Sequence, residues 1–388
     1  MPGALDGLLV ADFSRVLAGP YATMLLADLG ATVVKVERPG SGDDTRSWGP
    51  PFAEDGQSTY FQSVNRNKLS VALDLRDPDD AGIAARLAAS CDVLIENHRP
   101  GSLTRYGLDY PAVAAGNPGV IYCSISGFGS AAGRDLPGYD LLVQAMGGLM
   151  SITGTEEPTK AGVALVDVLT GLQAAVGILA ALHHRDRTGE GQSLEITLLG
   201  SLQSALVNQA SSVLGAGVVP RFLGNAHPSI APYEVFQAAD RPFVLAVGND
   251  AQFVRLMDVL ESPQTARDPR FSTNAARVEH RAVLADQVNA LLASRSADDW
   301  QERITAAGVP CGPINDIDQG LRLADALGLE PVVQIHDPRR SVPQRQVAHP
   351  VRYSRTPAAY RSAPPDVDED RAAVLALLDG VDERMDRP

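Results

Sequence analysis

GLLVADFSRVLAGPYATMLLADLGATVVKVE, residues 7–37, is the stretch from which the fold can be read. Gly7–Asp12 is a short apolar run, of strand rather than helix length. Ala18-Gly19-Pro20 makes a small-residue turn, and Tyr21–Leu29 then shows helical periodicity until Gly30 stops it. Ala31–Glu37 is β-branched and strand-like. The alternation continues outward. Leu69–Leu75 reads as a strand, Asp79–Ala89 as a helix, and Asp92–Glu96 and Val120–Ser126 as further strands. A turn at Thr188–Gln192 precedes a strand at Ser193–Leu199, and helix is expected from about Leu198 to Val213. Apolar strands alternating with helices mark an α/β domain with a largely parallel sheet.

The character of the chain then changes. Gly215–Pro232 is rich in Gly and Pro and reads as an inter-domain connection. Arg241–Gly308 reads as a smaller α+β unit, with a strand at Pro242–Val247 and helices at Ala251–Leu260, His280–Ser294 and Ala297–Ala307. Residues from Gly312 to Pro365 look irregular, and a last helix is expected at Asp368–Leu378. A length of 388 residues suggests two or three domains.

Composition narrows the function classes. With 45% hydrophobic and 21% charged residues, the chain can bury substantial cores. A net charge of −14 and a pI near 4.9 argue against nucleic acid or an anionic membrane as the general partner. No run of 18 uninterrupted apolar residues appears, so no membrane span is expected. The N-terminus lacks a basic region ahead of its apolar run and does not read as a signal peptide. Cys91, Cys123 and Cys311 are few and widely spaced, with no CxxC pattern, which suits a reducing cytoplasm and no metal site.

One carboxylate stands out. Asp167 lies in the apolar run GVALVDVLTGLQAAVGILAALHH, residues 162–184, where a charge is costly unless it is bonded or used in chemistry. It precedes the helical pattern Leu169–Leu182, so local reading makes it a helix N-cap. Gly127, Gly129 and Gly133 follow a strand but no clean helix follows them, a weak dinucleotide signal. His183 and His184 read as last-turn residues rather than metal ligands. Lys35, Arg38, Arg46, Arg66, Lys68, Arg99 and Arg105 fall near predicted strand ends, where cations suit a phosphorylated ligand.

Several segments together resemble the class III (family III) CoA-transferases. They are residues 13–46, NRNKLSVALDL (65–75), IENHRPG (95–101), PGYDLLVQAMGGLMSITG (137–154), the run around Asp167, AVGNDAQF (246–253), DPRFSTNAARVEHR (268–281) and AGVPCGPIN (307–315). The resemblance implies a Rossmann-like large domain of residues 1–214 plus 330–388. A smaller α+β domain, 233–312, is then inserted between linkers 215–232 and 313–329, in an interlocked homodimer. It makes Asp167 the catalytic nucleophile of a CoA-transferase, with acyl-CoA and a carboxylic acid as substrates and no tightly bound cofactor. By the same matching, Val16, Leu17, Arg38, Lys68, Asn97 and Arg105 contact CoA. Tyr139 and Asp140 stand beside the nucleophile, and Gly248 and Asn249 belong to a covering loop.

Related α-methylacyl-CoA racemases use a histidine where this chain has Tyr139, and a phenol near pKa 10 is a poor stand-in at neutral pH. Formyl-CoA transferases carry glutamine at the position of Leu17 and lysine at that of Pro137, so an acceptor other than oxalate is expected. A distal carboxylate on a dicarboxylic acceptor would need a cation, with Arg15, Arg46 and Arg66 as candidates. A non-catalytic acyl-CoA-binding subunit is the reading from a different class.

Overall fold

The computed structural model describes residues 2–385. Among them, six strands form one parallel sheet: β1 (Leu9–Asp12), β2 (Thr32–Glu37), β3 (Lys68–Ala72), β4 (Val93–Glu96), β5 (Ile121–Ser126) and β6 (Gln192–Thr197). Their spatial order is β3-β2-β1-β4-β5-β6. Val10 of β1 is in register with Val33 on one side and Val93 on the other.

Both faces of the sheet are covered, which is why its central strands read as continuous apolar runs rather than alternating ones. Val10, Val33, Val93 and Ile95 point to one face, against the helices Ala18–Asp28 and Leu165–Thr188. Leu9, Ala11, Val34 and Leu94 point to the other, against Pro78–Ser90 and the C-terminal helix Arg371–Met385. The order reverses between β1 and β4, so the loops leaving these strands part and open a crevice at the sheet's carboxyl edge.

The chain divides into two compact units. One comprises the chain up to Leu149, Ala161–Val218 and the chain from Glu330 onward; the other comprises Met150–Lys160 and Val219–Leu329. The second unit holds an antiparallel sheet of β7 (Tyr233–Gln237), β8 (Pro242–Ala246) and β9 (Cys311–Pro313). Phe243, Phe253, Phe271 and Trp300 fill its core.

Several local expectations need correction. The long helix starts at Leu165 and runs to Thr188, so Asp167 lies inside its first turn and is not its cap. The expected Leu198–Val213 helix is divided into Leu198–Ala205 and Val207–Ala216, with Leu206 between them and Val207 at φ 32°. The segment after Gly312 is not irregular: it contains a helix, Ile317–Ala326, and a hairpin of β10 (Val332–Ile335) and β11 (Gln344–Val347). Gln344 and Gln346 are the inward residues of β11, so polarity hides its period from sequence reading. By length and composition, Leu165–Thr188 is apolar enough to cross a membrane; here Ala174, Ile178 and Ala181 bury one face of it in the sheet's core.

The open edge of β3 is closed by the residues leading into the C-terminal helix. The Ser70 N–H donates to the Asp370 carboxylate at 2.9 Å and the Ala72 N–H to Asp368 at 2.8 Å. In return the Asp370 N–H donates to the Ser70 carbonyl at 3.0 Å, and Arg371 donates to the Ala72 carbonyl at 2.7 Å. The clamp satisfies an edge that would otherwise template pairing with another chain. Asp370→Ala should cost about 2 kcal/mol, the range for a hydrogen bond to a charged group, in urea unfolding monitored by circular dichroism. An unchanged midpoint would show that the clamp holds nothing.

Candidate active site

The loops after β1, β4 and β5 converge on a cleft of about 380 Å³ at the point where the strand order reverses. Arg15–Ala18 line it from the end of β1 and Asn97–Pro100 from the end of β4; Tyr139 and Asp167 complete it. Asp167 gets there because the long helix packs its buried face on the helix after β1, with its first turn reaching the cleft.

The amides of that first turn are not capped by their own helix. Ala164, at the cap position, contributes no side-chain bond. Instead the Asp140 carboxylate accepts the N–H of Val166 at 2.8 Å and that of Asp167 at 3.3 Å. The fully buried Gln144 donates to Asp140 at 2.6 Å and accepts the Ala161 N–H at 2.8 Å, which fixes the capping carboxylate. Burial first, and the like charge of Asp140 second, push the Asp167 carboxyl up to about 7. Tyr139 begins the helix that carries Asp140 and stands 63% exposed at the mouth of the cleft.

Tyr60 was not singled out in the sequence, which gives it no periodicity or motif. Burial pushes its phenol up to about 12, and the charges of Asp167, Asp140 and Asp43 add to the shift, so it lies within electrostatic reach of Asp167. Trp48 packs edge-on against it, with ring centroids 5.2 Å apart.

A second, larger cleft of about 640 Å³ adjoins the first, sharing Arg15 and His98 with it. The guanidiniums of Arg38, Arg76 and Arg105 surround it. Arg15 and Arg38 both bond Asp44, at 2.6 and 2.5 Å, and Arg105 lies 4.6 Å from the centre of the Tyr106 ring. Burial, and then the positive charge of Arg15, hold the His98 imidazole below its usual range. This cleft offers exposed cations to a polyanion.

The sequence-level cation cluster does not survive as a whole. Lys68 is 0% exposed, and its ammonium donates to Asp12, the Pro20 carbonyl and Asn65 at 3.1, 2.9 and 2.9 Å. With its three donors used, it has none to give a phosphate, so its assignment to CoA contact is corrected. Arg66 makes a bidentate pair with Asp28 at 2.9 and 2.7 Å, and Arg46 pairs with Glu37 while lying 3.7 Å over the Phe61 ring. Lys35 is buried against Asp43. Arg38 and Arg105 remain exposed at the second cleft.

Val16, Leu17 and Asn97 line the first cleft, but the Asn97 side chain is spent on backbone: it accepts the Arg15 N–H at 2.9 Å and donates to the Arg15 carbonyl at 2.7 Å. Gly248 and Asn249 belong to the second unit. The Gly248 N–H donates to Gln252, and Asn249 caps the helix Asp250–Val259. The glycines after β5 have a steric reason: a Cβ on Gly127 would meet the Gly138 Cα at 2.4 Å, so the two backbones cross in contact. No His, Cys, Asp or Glu group able to hold a metal occurs among the described residues.

A doubly wound α/β fold with a perturbed carboxylate at its switch point and a basic cleft beside it defines a protein built to act on an anionic, nucleotide-like ligand. Comparison with known proteins then gives the group. The model of CoA-transferase family III matches residues 5–371. A succinate–glutarate CoA-transferase of Agrobacterium fabrum is 42% identical over 97% of this chain and 96% of its own. A succinyl-CoA:glutarate CoA-transferase of Mus musculus is 40% identical over 98% and 87%. The crystal structure of a CAIB/BAIF family protein from Brucella suis superposes with a TM-score of 0.87 at 40% identity, covering 97% of this chain and 100% of that one. The chain belongs to CoA-transferase family III and is a CoA-transferase.

The buried role of Lys68 is directly testable. Lys68→Met leaves Asp12 buried without its cation and should cost about 3–5 kcal/mol in urea unfolding. The folded fraction should keep its KM for acyl-CoA within about twofold, since the side chain reaches no ligand; a KM raised more than about tenfold would restore a binding role.

Proposed function

We propose that the cleft at Asp167 exchanges CoA between two carboxylic acids by covalent catalysis, with CoA supplied only as substrate. The observation that carries this is a half-buried carboxylate, raised to about 7, in the cleft where the sheet order reverses. Above that pH Asp167 is ionised yet poorly hydrated, the condition under which a carboxylate is a useful nucleophile.

Asp167 attacks the donor thioester carbonyl, the C–S bond breaks, and CoA leaves as a thiolate from an acyl–aspartyl anhydride. The thiolate attacks the aspartyl carbonyl and releases the donor acid, leaving an aspartyl–CoA thioester. The acceptor carboxylate displaces the thiolate to form a second anhydride, and the thiolate then attacks its acyl carbonyl. The new acyl-CoA departs and Asp167 returns as a carboxylate. Bonds of nearly equal energy are exchanged, so no ATP is consumed.

The larger cleft suits the nucleotide and phosphates, with Arg38 and Arg105 as the phosphate ligands and Arg76 beside them. Val16 and Leu17 then flank the thioester, and Asn97 acts by holding the turn that carries them. Tyr139 faces substrate from the mouth, and Asp140 sets the charge around Asp167. Relatives named for succinate, glutarate and mesaconate support a dicarboxylic acceptor. Of the three arginines considered for its distal carboxylate, Arg46 and Arg66 are largely buried in pairs with Glu37 and Asp28, whereas Arg15, although paired with Asp44, is exposed and lines the Asp167 cleft, which favours Arg15.

An interlocked homodimer, with the inserted smaller domain at 233–312, completes the proposal. It is supported by apolar side chains left exposed along one stripe of the long helix, Leu172, Val176 and Leu179, and by Leu214 at 87% exposure. Free Cys91, Cys123 and Cys311 suit a reducing cytoplasm.

Incubation with succinyl-CoA followed by hydroxylamine should convert Asp167 to a hydroxamate found by peptide mass. Asp167→Ala should give no adduct and no transfer. Full activity in that variant would remove the mechanism, and α-proton exchange without an acceptor acid would replace it with racemisation.

The acid limb of the pH profile gives a second check. Only ionised Asp167 attacks, so kcat/KM should rise with pH through an apparent pKa near 7. Removing the like charge with Asp140→Asn should move that midpoint to lower pH; a midpoint that stays put would show that Asp140 does not act on the nucleophile.

A further inference from the structure

Val16 is the residue through which the chain leaves β1 and turns into the helix that starts at Ala18, and its φ is +70°. A β-branched residue is crowded in that region, which glycine or asparagine enters far more readily. Strain of this kind persists only where the surroundings over-determine it, and it clusters at functional sites. Here the surroundings can be named.

The Val16 N–H is shared by both oxygens of the Asp43 carboxylate, at 3.3 and 3.2 Å. Asp43 is itself immobilised: it accepts the Lys35 ammonium at 2.9 Å, the Thr45 N–H at 3.0 Å and the Thr45 hydroxyl at 2.8 Å. Lys35 also donates to the Ser14 carbonyl at 3.0 Å. The two members of one buried ion pair therefore grip the same turn, the cation at Ser14 and the anion at Val16. From the other side Asn97 bonds both backbone groups of Arg15. The turn is also closed on itself, since a Cβ on Gly19 would sit 2.2 Å from the Ser14 hydroxyl oxygen.

Residues 15–18 of this turn form one wall of the cleft that contains Asp167. Relaxation of Val16 to the right-handed region would rotate the following chain by roughly 130° about one bond and carry Leu17 and Ala18 with it. We infer that the Lys35–Asp43 pair is a positioning device for the reaction, holding Val16 in its left-handed conformation so that the Arg15–Ala18 wall stays aligned with the nucleophile. This rests on Asp167 being the group that receives the acyl chain. Lys35 and Asp43 border the larger cleft but are almost completely buried, and in this role both act through the backbone of Val16.

The test is a double-mutant cycle on the full-length enzyme, read in kcat, KM and hydroxylamine trapping at Asp167. Asp43→Asn should lower kcat by about tenfold or more, the factor that strain of this size represents, and change KM for acyl-CoA by less than about threefold. Val16→Gly removes the need for enforcement, whatever its own effect. Added to a Val16→Gly enzyme, Asp43→Asn should therefore lower kcat by less than about threefold. If Asp43→Asn proves too unstable to purify, Thr45→Val runs the same cycle, because it removes one hydrogen bond to Asp43 and no charge. An equal loss of kcat in both backgrounds would assign the pair a merely structural role and overturn the inference. Absence of a trapped adduct at Asp167 in the unsubstituted enzyme would instead overturn the acyl-transfer reading on which it rests.

Discussion

A chain of buried charges runs beneath the carboxyl ends of the first strands and sets the position of everything above it. Asp12 at the end of β1 accepts Lys68 from β3; Lys35 of β2 lies near both and donates to Asp43 and the Ser14 carbonyl. All of these groups are almost completely buried. Isolated ions there would be prohibitively costly, and removal of any one partner strands another. Burial alone would push each toward neutrality: it pulls Lys68 down to about 8, whereas Asp43 is held at about 2 because Lys35 and the Thr45 bonds outweigh its burial. The network ties β1, β2 and β3 together at the edge of the sheet where the loops open.

Above that base, electrostatics separates two carboxylates that sit side by side. Asp140 accepts the first amides of the long helix and the Gln144 side chain, and those donors stabilise its charge. Asp167, in the first turn of the long helix, is raised to about 7 by burial and by the like charge of Asp140. One acid serves as the cap, and the other is the one proposed to react. The adjoining basic cleft shares Arg15 and His98 with this site, so a single elongated ligand can bring an anionic end to the arginines and a reacting end to Asp167.

The β-α-β opening was legible because strands buried on both faces keep an unbroken apolar run, and because Gly30 ends its helix plainly. Asp167 was legible as a misplaced charge, but the cap role read for it was wrong: the helix already begins at Leu165, and the carboxylate that accepts its first amides is Asp140, distant in the chain. The cations misled for a related reason. Lys68, Arg66 and Lys35 look like ligand-binding residues until Asp12, Asp28 and Asp43 are seen to face them, and no local pattern connects those partners. The hairpin β10–β11 was hidden by its inward glutamines, and Tyr60 by the lack of any spacing that marks a site.

The central claim is that the Asp167 carboxylate itself carries the acyl group and then CoA. In such a cycle the bridging oxygen of the second anhydride comes from the acceptor acid and stays on the enzyme when the new acyl-CoA leaves. A single turnover with succinyl-CoA and an acceptor acid labelled with oxygen-18 should therefore deposit one heavy oxygen in the peptide containing Asp167. Transfer of CoA with no label at Asp167, or with label on another residue, would contradict the account.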